Sequence, residues 1–231
     1  MSDLAIPDFA SAPAVGTNSR RVYRRVRADI LACRLLPGSK LNIAGLAGEL
    51  DVSLGAVREA LSMLQSEALV VSEPQRGYTV SPVSPKELDD ITETRIGLEA
   101  MCLRASIARG DLTWESDLVA AFHRLTRLSE TDDGRDLHLN EEWSLAHHEF
   151  HARLASACGN DWLLRLRAML YQQSERYRRL SVPLATGPRD VHGEHRAIFE
   201  AVLARDADRA VALLESHLRL TAQIVRASIR L

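Results

Sequence analysis

Apolar residues recur at helical spacing through nearly all of this chain of 231 residues, and the period changes once, between Ala68 and Val83. A 3.6-residue period gathers a segment's apolar side chains on one face, and that face must be covered by another segment. Such a chain folds as packed helices with room for one small sheet. In "VYRRVRADILACRL" the period places Val22, Val26, Ile30 and Leu31 together. Pro37 and Gly38 interrupt it. "IAGLAGEL" is then a short helix with Ile43, Leu46, Ala47 and Leu50 inward. Asp51-Val52-Ser53 makes a tight turn, and the Ser53 hydroxyl suits an N-cap. A third helix follows with Val57, Ala60, Leu61 and Leu64 buried, leaving Leu54, Gly55, Arg58, Glu59 and Ser62 exposed. "ALVVSEPQRGYTVSPV" has β-branched residues on both sides of "EPQRG", which predicts a hairpin with Gly77 near its bend.

Helix, tight turn, helix and hairpin is the order of a winged helix-turn-helix, whose second helix and wing can meet a DNA duplex. A generic three-helix domain would share that spacing. From Val83 onward the period predicts helices near 86–109, 112–130, 136–157, 160–180, 189–204 and 207–229, separated by breaks rich in Gly, Pro or Asp. The fold class is therefore mainly α: an N-terminal winged helix-turn-helix and a C-terminal all-α six-helix bundle. The boundaries read as a flexible tail at 1–17, a winged domain at 18–82 and a helical domain at 83–231.

Composition narrows the class. Hydrophobic residues make up 46% and charged residues 26%, as in a soluble globular protein. No apolar run reaches eighteen residues, so no membrane partner is expected. The first residues lack the basic start and apolar block of a secretory signal. Three widely spaced cysteines, Cys33, Cys102 and Cys158, suit a reducing cytoplasm. Residues 18–82 carry nine Arg or Lys against six Asp or Glu, and residues 83–231 carry twenty against twenty-three. Arg20, Arg21, Arg24, Arg25 and Arg27 crowd the first helix, and charge alone reads equally as a phosphate-contacting surface or a solvated face.

Of the eight histidines, His123 and His138 lie apart from any ligand spacing, and His148 and His192 fall out of phase, as surface or outer residues. His147 and His151 stand four apart and share a helix face. His195 and His217 continue inward apolar faces. A lone inward His is ordinarily a core residue, but four of them can meet one ion. "HEFH" is one residue too short for the His-Glu-x-x-His of zinc proteases, so no catalytic residue is assigned.

These stretches carry a resemblance. "VREAL", "LV" and "RGYTV" in order, then "RIGLEAMCLRASI", "HHEFHARLASACGN" and "EHRAIFEAVLARDADRAVALLESHL", resemble the GntR family of bacterial transcription regulators. The branch is the FadR-type one with an all-helical FCD ligand-binding domain. "RLTRL", "QSERYRRL" and "RDVHGEH" are similar to a carbon-starvation-regulator-like subgroup. The resemblance implies a cytoplasmic homodimer that binds a double-stranded DNA operator, and a repressor released by a small carboxylic acid. Ser53, Gly55 and Arg58 of the recognition helix, with Arg76 and Gly77 of the wing, then join Arg20, Arg21 and Arg24 as DNA-binding candidates. Leu54-Gly55-Ala56 and Ala44 depart from the family pattern at positions that usually supply base-reading arginines, so the operator preference should differ.

The resemblance also implies a divalent metal held by an Asp and three His. The three match His151, His195 and His217, and His147 stands where the Asp is expected. A four-His site favours zinc or nickel, and the exchange could equally weaken binding. Arg95 matches a family Arg that faces the effector, though a surface ion pair would explain it as well. The competing functions are a metal-dependent enzyme on small acids with a non-functional winged domain, and a metal-free helical adaptor.

Overall fold

The computed structural model describes residues 16–73, 77–130, 140–181 and 189–228. The chain divides into two compact units, one ending at Val83 and the other starting at Ser84. The expected tail lies outside the described residues except for Gly16 and Thr17, and Thr17 already opens the first helix.

The first unit contains α1 (Thr17–Leu31), β1 (Lys40–Leu41), α2 (Ile43–Glu49), α3 (Leu54–Ser66), β2 (Val70–Glu73) and β3 (Gly77–Val80). Val22, Val26 and Ile30 of α1 are buried as the spacing predicts, and so are Val57, Ala60, Leu61 and Leu64 of α3. They form one core with Leu69, Val70 and Val80 of the sheet. The strands lie in the order β1-β3-β2, all antiparallel, with Val70 opposite Val80 and Lys40 opposite Thr79. β1 was not predicted, because two residues carry no period. Gly77 adopts φ +85°, a conformation that favours glycine.

The second unit contains α4 (Pro85–Arg109), α5 (Leu112–Thr126), α6 (Glu141–Ala155), α7 (Asp161–Ser181), α8 (Val191–Leu203) and α9 (Ala207–Ser228). α4 packs against α9, α7 and α6, while α5 packs on α6 and α8 packs on α9. Their shared core holds Leu103, Leu118, Trp143, Phe150, Ile198 and Leu214. Phe122 and Phe199 stack with ring centroids 4.2 Å apart. Ser84 caps α4 as expected, accepting from the Glu87 N–H at 3.1 Å. α5 ends short of residue 130, because the amides of Arg127 and Leu128 bond three residues back and tighten the last turn. α6 begins at Glu141 rather than near 136, with Asn140 accepting from the amides of Glu142 and Trp143. Among the described residues no helix is long and apolar enough to cross a membrane.

Candidate functional site

In the first unit the turn between α2 and α3 is built from local chemistry. Asn42 caps α2 through the Gly45 N–H at 2.9 Å. Asp51 takes φ +48°, and Ser53 caps α3 through the Ala56 N–H at 3.2 Å. α3 then leaves Leu54, Gly55, Arg58, Glu59 and Ser62 exposed along one side. The arginines of α1 divide into two groups. Arg21 donates to the Leu50 carbonyl, Arg25 pairs with Asp29 at 2.6 Å, and Arg27 pairs with Glu67 at 2.8 Å. These three are tied into the unit. Arg20, Arg24 and Arg58 are exposed and make no ion pair with the described residues. Gly77 is exposed at the start of β3, and Arg76 lies outside the described residues.

The second unit brings four histidines from three helices to one point. His147 and His151 come from α6, His195 from α8 and His217 from α9. All four are buried, with exposures of 6%, 0%, 1% and 5%. One ligand atom from each lies within 4.8 Å of the others. His151 Nε2 and His195 Nε2 are 3.4 Å apart, which is about the edge of a tetrahedron with zinc–nitrogen bonds of standard length. Burial, reinforced for His147, His151 and His195 by neighbouring rings, pushes their proton affinity well below the usual imidazole value. Burial also lowers His217, although Glu194 pulls the other way. Four neutral rings therefore present lone pairs, the form a metal ligand requires.

The donor set fits a divalent ion of the zinc or nickel type. Nδ1 of His151 and of His195 is buried with no hydrogen-bond partner among the described residues. Each such orphan costs about 1–3 kcal/mol in a closed core, so hydrophobic packing alone does not account for the cluster. The other two rings are held from outside it. His147 Nδ1 meets the Tyr171 hydroxyl at 3.1 Å, and His217 Nδ1 lies 2.7 Å from Glu194. Burial would raise the Glu194 carboxyl, but Arg189 and His217 outweigh it and hold it at about 2.

A small cavity of about 40 Å³ adjoins the cluster, with His147, His217, Tyr171, Arg95, Arg178 and Arg189 in its wall beside Glu130 and Glu175. Arg95 is buried, at 9% exposure, and the ion pair it makes with a nearby acid, Glu99, is a buried one rather than a surface one. Its Nε donates to Glu99 at 3.3 Å, its guanidinium lies 4.8 Å above the Tyr171 ring, and its Nη2 is buried without a partner among the described residues. Glu99 is shared, since Arg167 also donates to it at 2.7 Å. One carboxylate serving two guanidiniums leaves positive charge beside the cavity, suited to a carboxylate guest.

Sequence reasoning missed Tyr171, Arg167, Arg178, Arg189 and Glu194. The available signals were weak: Glu99 stands four residues after Arg95, and Glu194 directly precedes His195. His148 is not a surface residue, because its ring meets the edge of Tyr171 at 4.6 Å and is half-buried there. His123 and His192 are exposed as expected, and His138 lies outside the described residues. Glu149 turns to Arg124 at 2.6 Å.

Comparison with known proteins agrees with both units. The family model described as "Bacterial regulatory proteins, gntR family" matches residues 18–80, and the FCD domain model matches residues 90–220. HTH-type transcriptional regulator BphR of Paraburkholderia xenovorans is 40% identical, covering 97% of this chain and 92% of that protein. HTH-type transcriptional repressor GlaR of Escherichia coli is 37% identical, covering 85% and 90%. Among solved structures, Escherichia coli McbR/YncC shares the fold at a TM-score of 0.72 and 18% identity, covering 92% of this chain and 98% of that one. A transcriptional regulator GntR from a Rhodococcus species shares it at a TM-score of 0.70 and 21% identity, covering 93% and 100%.

The fold and its relatives define a DNA-binding transcription regulator rather than an enzyme. The chain belongs to the GntR family, in the branch that carries an FCD domain.

Proposed function

We propose that this regulator is a cytoplasmic, homodimeric repressor whose helical unit holds zinc or nickel through His147, His151, His195 and His217, and releases the operator when a small carboxylic acid binds beside the metal. The observation that carries this reading is the convergence of four buried, neutral imidazoles next to a cavity walled by Arg95. A divalent ion there supplies a Lewis-acidic site for one carboxylate oxygen. Arg95 adds a planar pair of donors, one of them without a partner among the described residues, for the same anion. The similarity to GlaR, a transcriptional repressor, supports the sign of regulation. On the DNA side, Arg20, Arg21, Arg24, Ser53, Gly55, Arg58, Arg76 and Gly77 are the proposed contacts, with Arg20, Arg24 and Arg58 the cations left unpaired by the described residues. An acid changes operator affinity only through a difference in its affinity for two states of the protein.

The test is a thermal-shift screen of purified protein against small carboxylic acids, with and without zinc, alongside His151→Ala and Arg95→Ala. A rise with one acid that needs the metal and disappears in both variants is expected. The same acid should lift the protein from its upstream DNA in a mobility-shift assay. No rise with zinc or with any acid would defeat the metal-and-acid reading, and failure to shift that DNA at modest salt would defeat the repressor reading.

A further inference from the structure

We propose that Glu194, clamped by Arg189, is a positioning residue that fixes the tautomer of His217 and so aims its other ring nitrogen at the ion. The proposal rests on the metal reading above and deepens it. Arg189 grips the Glu194 carboxylate with both arms of its guanidinium, Nε to Oε1 at 2.8 Å and Nη2 to Oε2 at 2.6 Å. The same Nη2 reaches the His217 backbone carbonyl at 3.2 Å and the Thr221 hydroxyl at 3.0 Å, and lies 3.4 Å from His217 Nδ1. Thr221 in turn donates to that carbonyl at 2.8 Å. Both the carboxylate and the backbone that carries His217 are therefore held in place.

A carboxylate paired in this way accepts hydrogen bonds and donates none. His217 Nδ1 lies 2.7 Å from Glu194 and 3.4 Å from Arg189 Nη2; the short contact to a carboxylate that only accepts outweighs the long one to a donor, so Nδ1 carries the proton and the lone pair is left on Nε2. A ligating His commonly has its second nitrogen bound to a carboxylate, which sets ring orientation and raises basicity. The other three rings lack this device. His147 Nδ1 faces a hydroxyl that can give or take a proton, and Nδ1 of His151 and of His195 has no partner among the described residues. Only His217 has its tautomer dictated by a charged neighbour among the described residues. That neighbour sits on α8, one residue before His195, so α8 supplies one ligand and orients another on α9.

The experiment compares wild type with Glu194→Gln, Glu194→Ala and Arg189→Lys. Zinc affinity is read by competition with a chromophoric chelator, and the His217 tautomer is read in the zinc-free protein by long-range proton–nitrogen NMR. Circular dichroism establishes that each variant is folded. The expected result is an Nδ1–H tautomer for His217 in wild type and a loss of about 10–100-fold in zinc affinity for Glu194→Ala. Glu194→Gln, which can still accept through its amide oxygen, should restore the tautomer and part of the affinity. A purely structural role would alter melting without altering the tautomer. Folded variants that bind zinc as wild type does would overturn this proposal alone, as would an Nε2–H tautomer in wild type. A wild-type protein that takes no zinc would overturn it together with the metal reading.

Discussion

A side chain at position 55 would find room: an added Cβ meets only the Ser53 hydroxyl, at an ordinary 3.7 Å. Nothing within the first unit therefore requires glycine there, and glycine in a helix costs up to about 1 kcal/mol relative to alanine. Gly55→Ala should raise the stability of the winged unit by a few tenths to about 1 kcal/mol, read from denaturant unfolding. It should also weaken operator binding, if the start of α3 lies against the duplex as proposed. A stabilised variant with unchanged DNA affinity would remove Gly55 from the interface. At this scale the metal candidates were legible, because His147 and His151 share a helical face and the family resemblance reaches His151, His195 and His217. Their supports were not. Tyr171 lies 24 residues from His147, and Glu194 lies 23 residues from His217. No local period records a contact at that separation.

Helix starts were the legible part of the element scale, because a cap is a local event. Ser53 and Ser84 were recognisable as side chains that accept from amides three residues on, and both do so. Helix ends and short strands were less so: the tightened end of α5 and the two-residue β1 depend on what the rest of the chain packs against. The same holds for one buried polar joint in the bundle. Glu99 of α4 accepts from Arg95 on its own helix and from Arg167 on α7, and Arg167 continues to the His151 carbonyl at 2.6 Å. Glu99 and Arg167 are almost fully buried, at 2% and 3% exposure. Removing the acid strands two guanidiniums away from water. Glu99→Ala should therefore cost about 3–5 kcal/mol, the range for breaking a buried pair from one side. Denaturant unfolding of the helical unit would measure it. A loss below about 1 kcal/mol, the level of an exposed ion pair, would mean that water reaches this joint.

The whole molecule has two units with separate cores, so each can report on its own ligand. Stripping zinc with a chelator should lower the melting of the helical unit and leave the winged unit unmoved. An ion at a hundred times its dissociation constant contributes about 2.7 kcal/mol, which is roughly 5–10 °C for a unit of this size. A shift confined to the winged unit would place the metal elsewhere. The DNA side offers a count as well as an affinity. Each phosphate contact releases counterions and adds about 0.9 to the slope of log affinity against log salt. Arg20 is exposed and makes no ion pair with the described residues, so its loss should cost the fold little. If each protomer of a dimer sets one Arg20 on a phosphate, Arg20→Ala should flatten the slope by about 1.8, since a single substitution acts twice. Flattening by about 0.9 would mean that one winged unit engages at a time. An unchanged slope would take Arg20 off the phosphate backbone and leave Arg24 and Arg58 to be titrated in the same way.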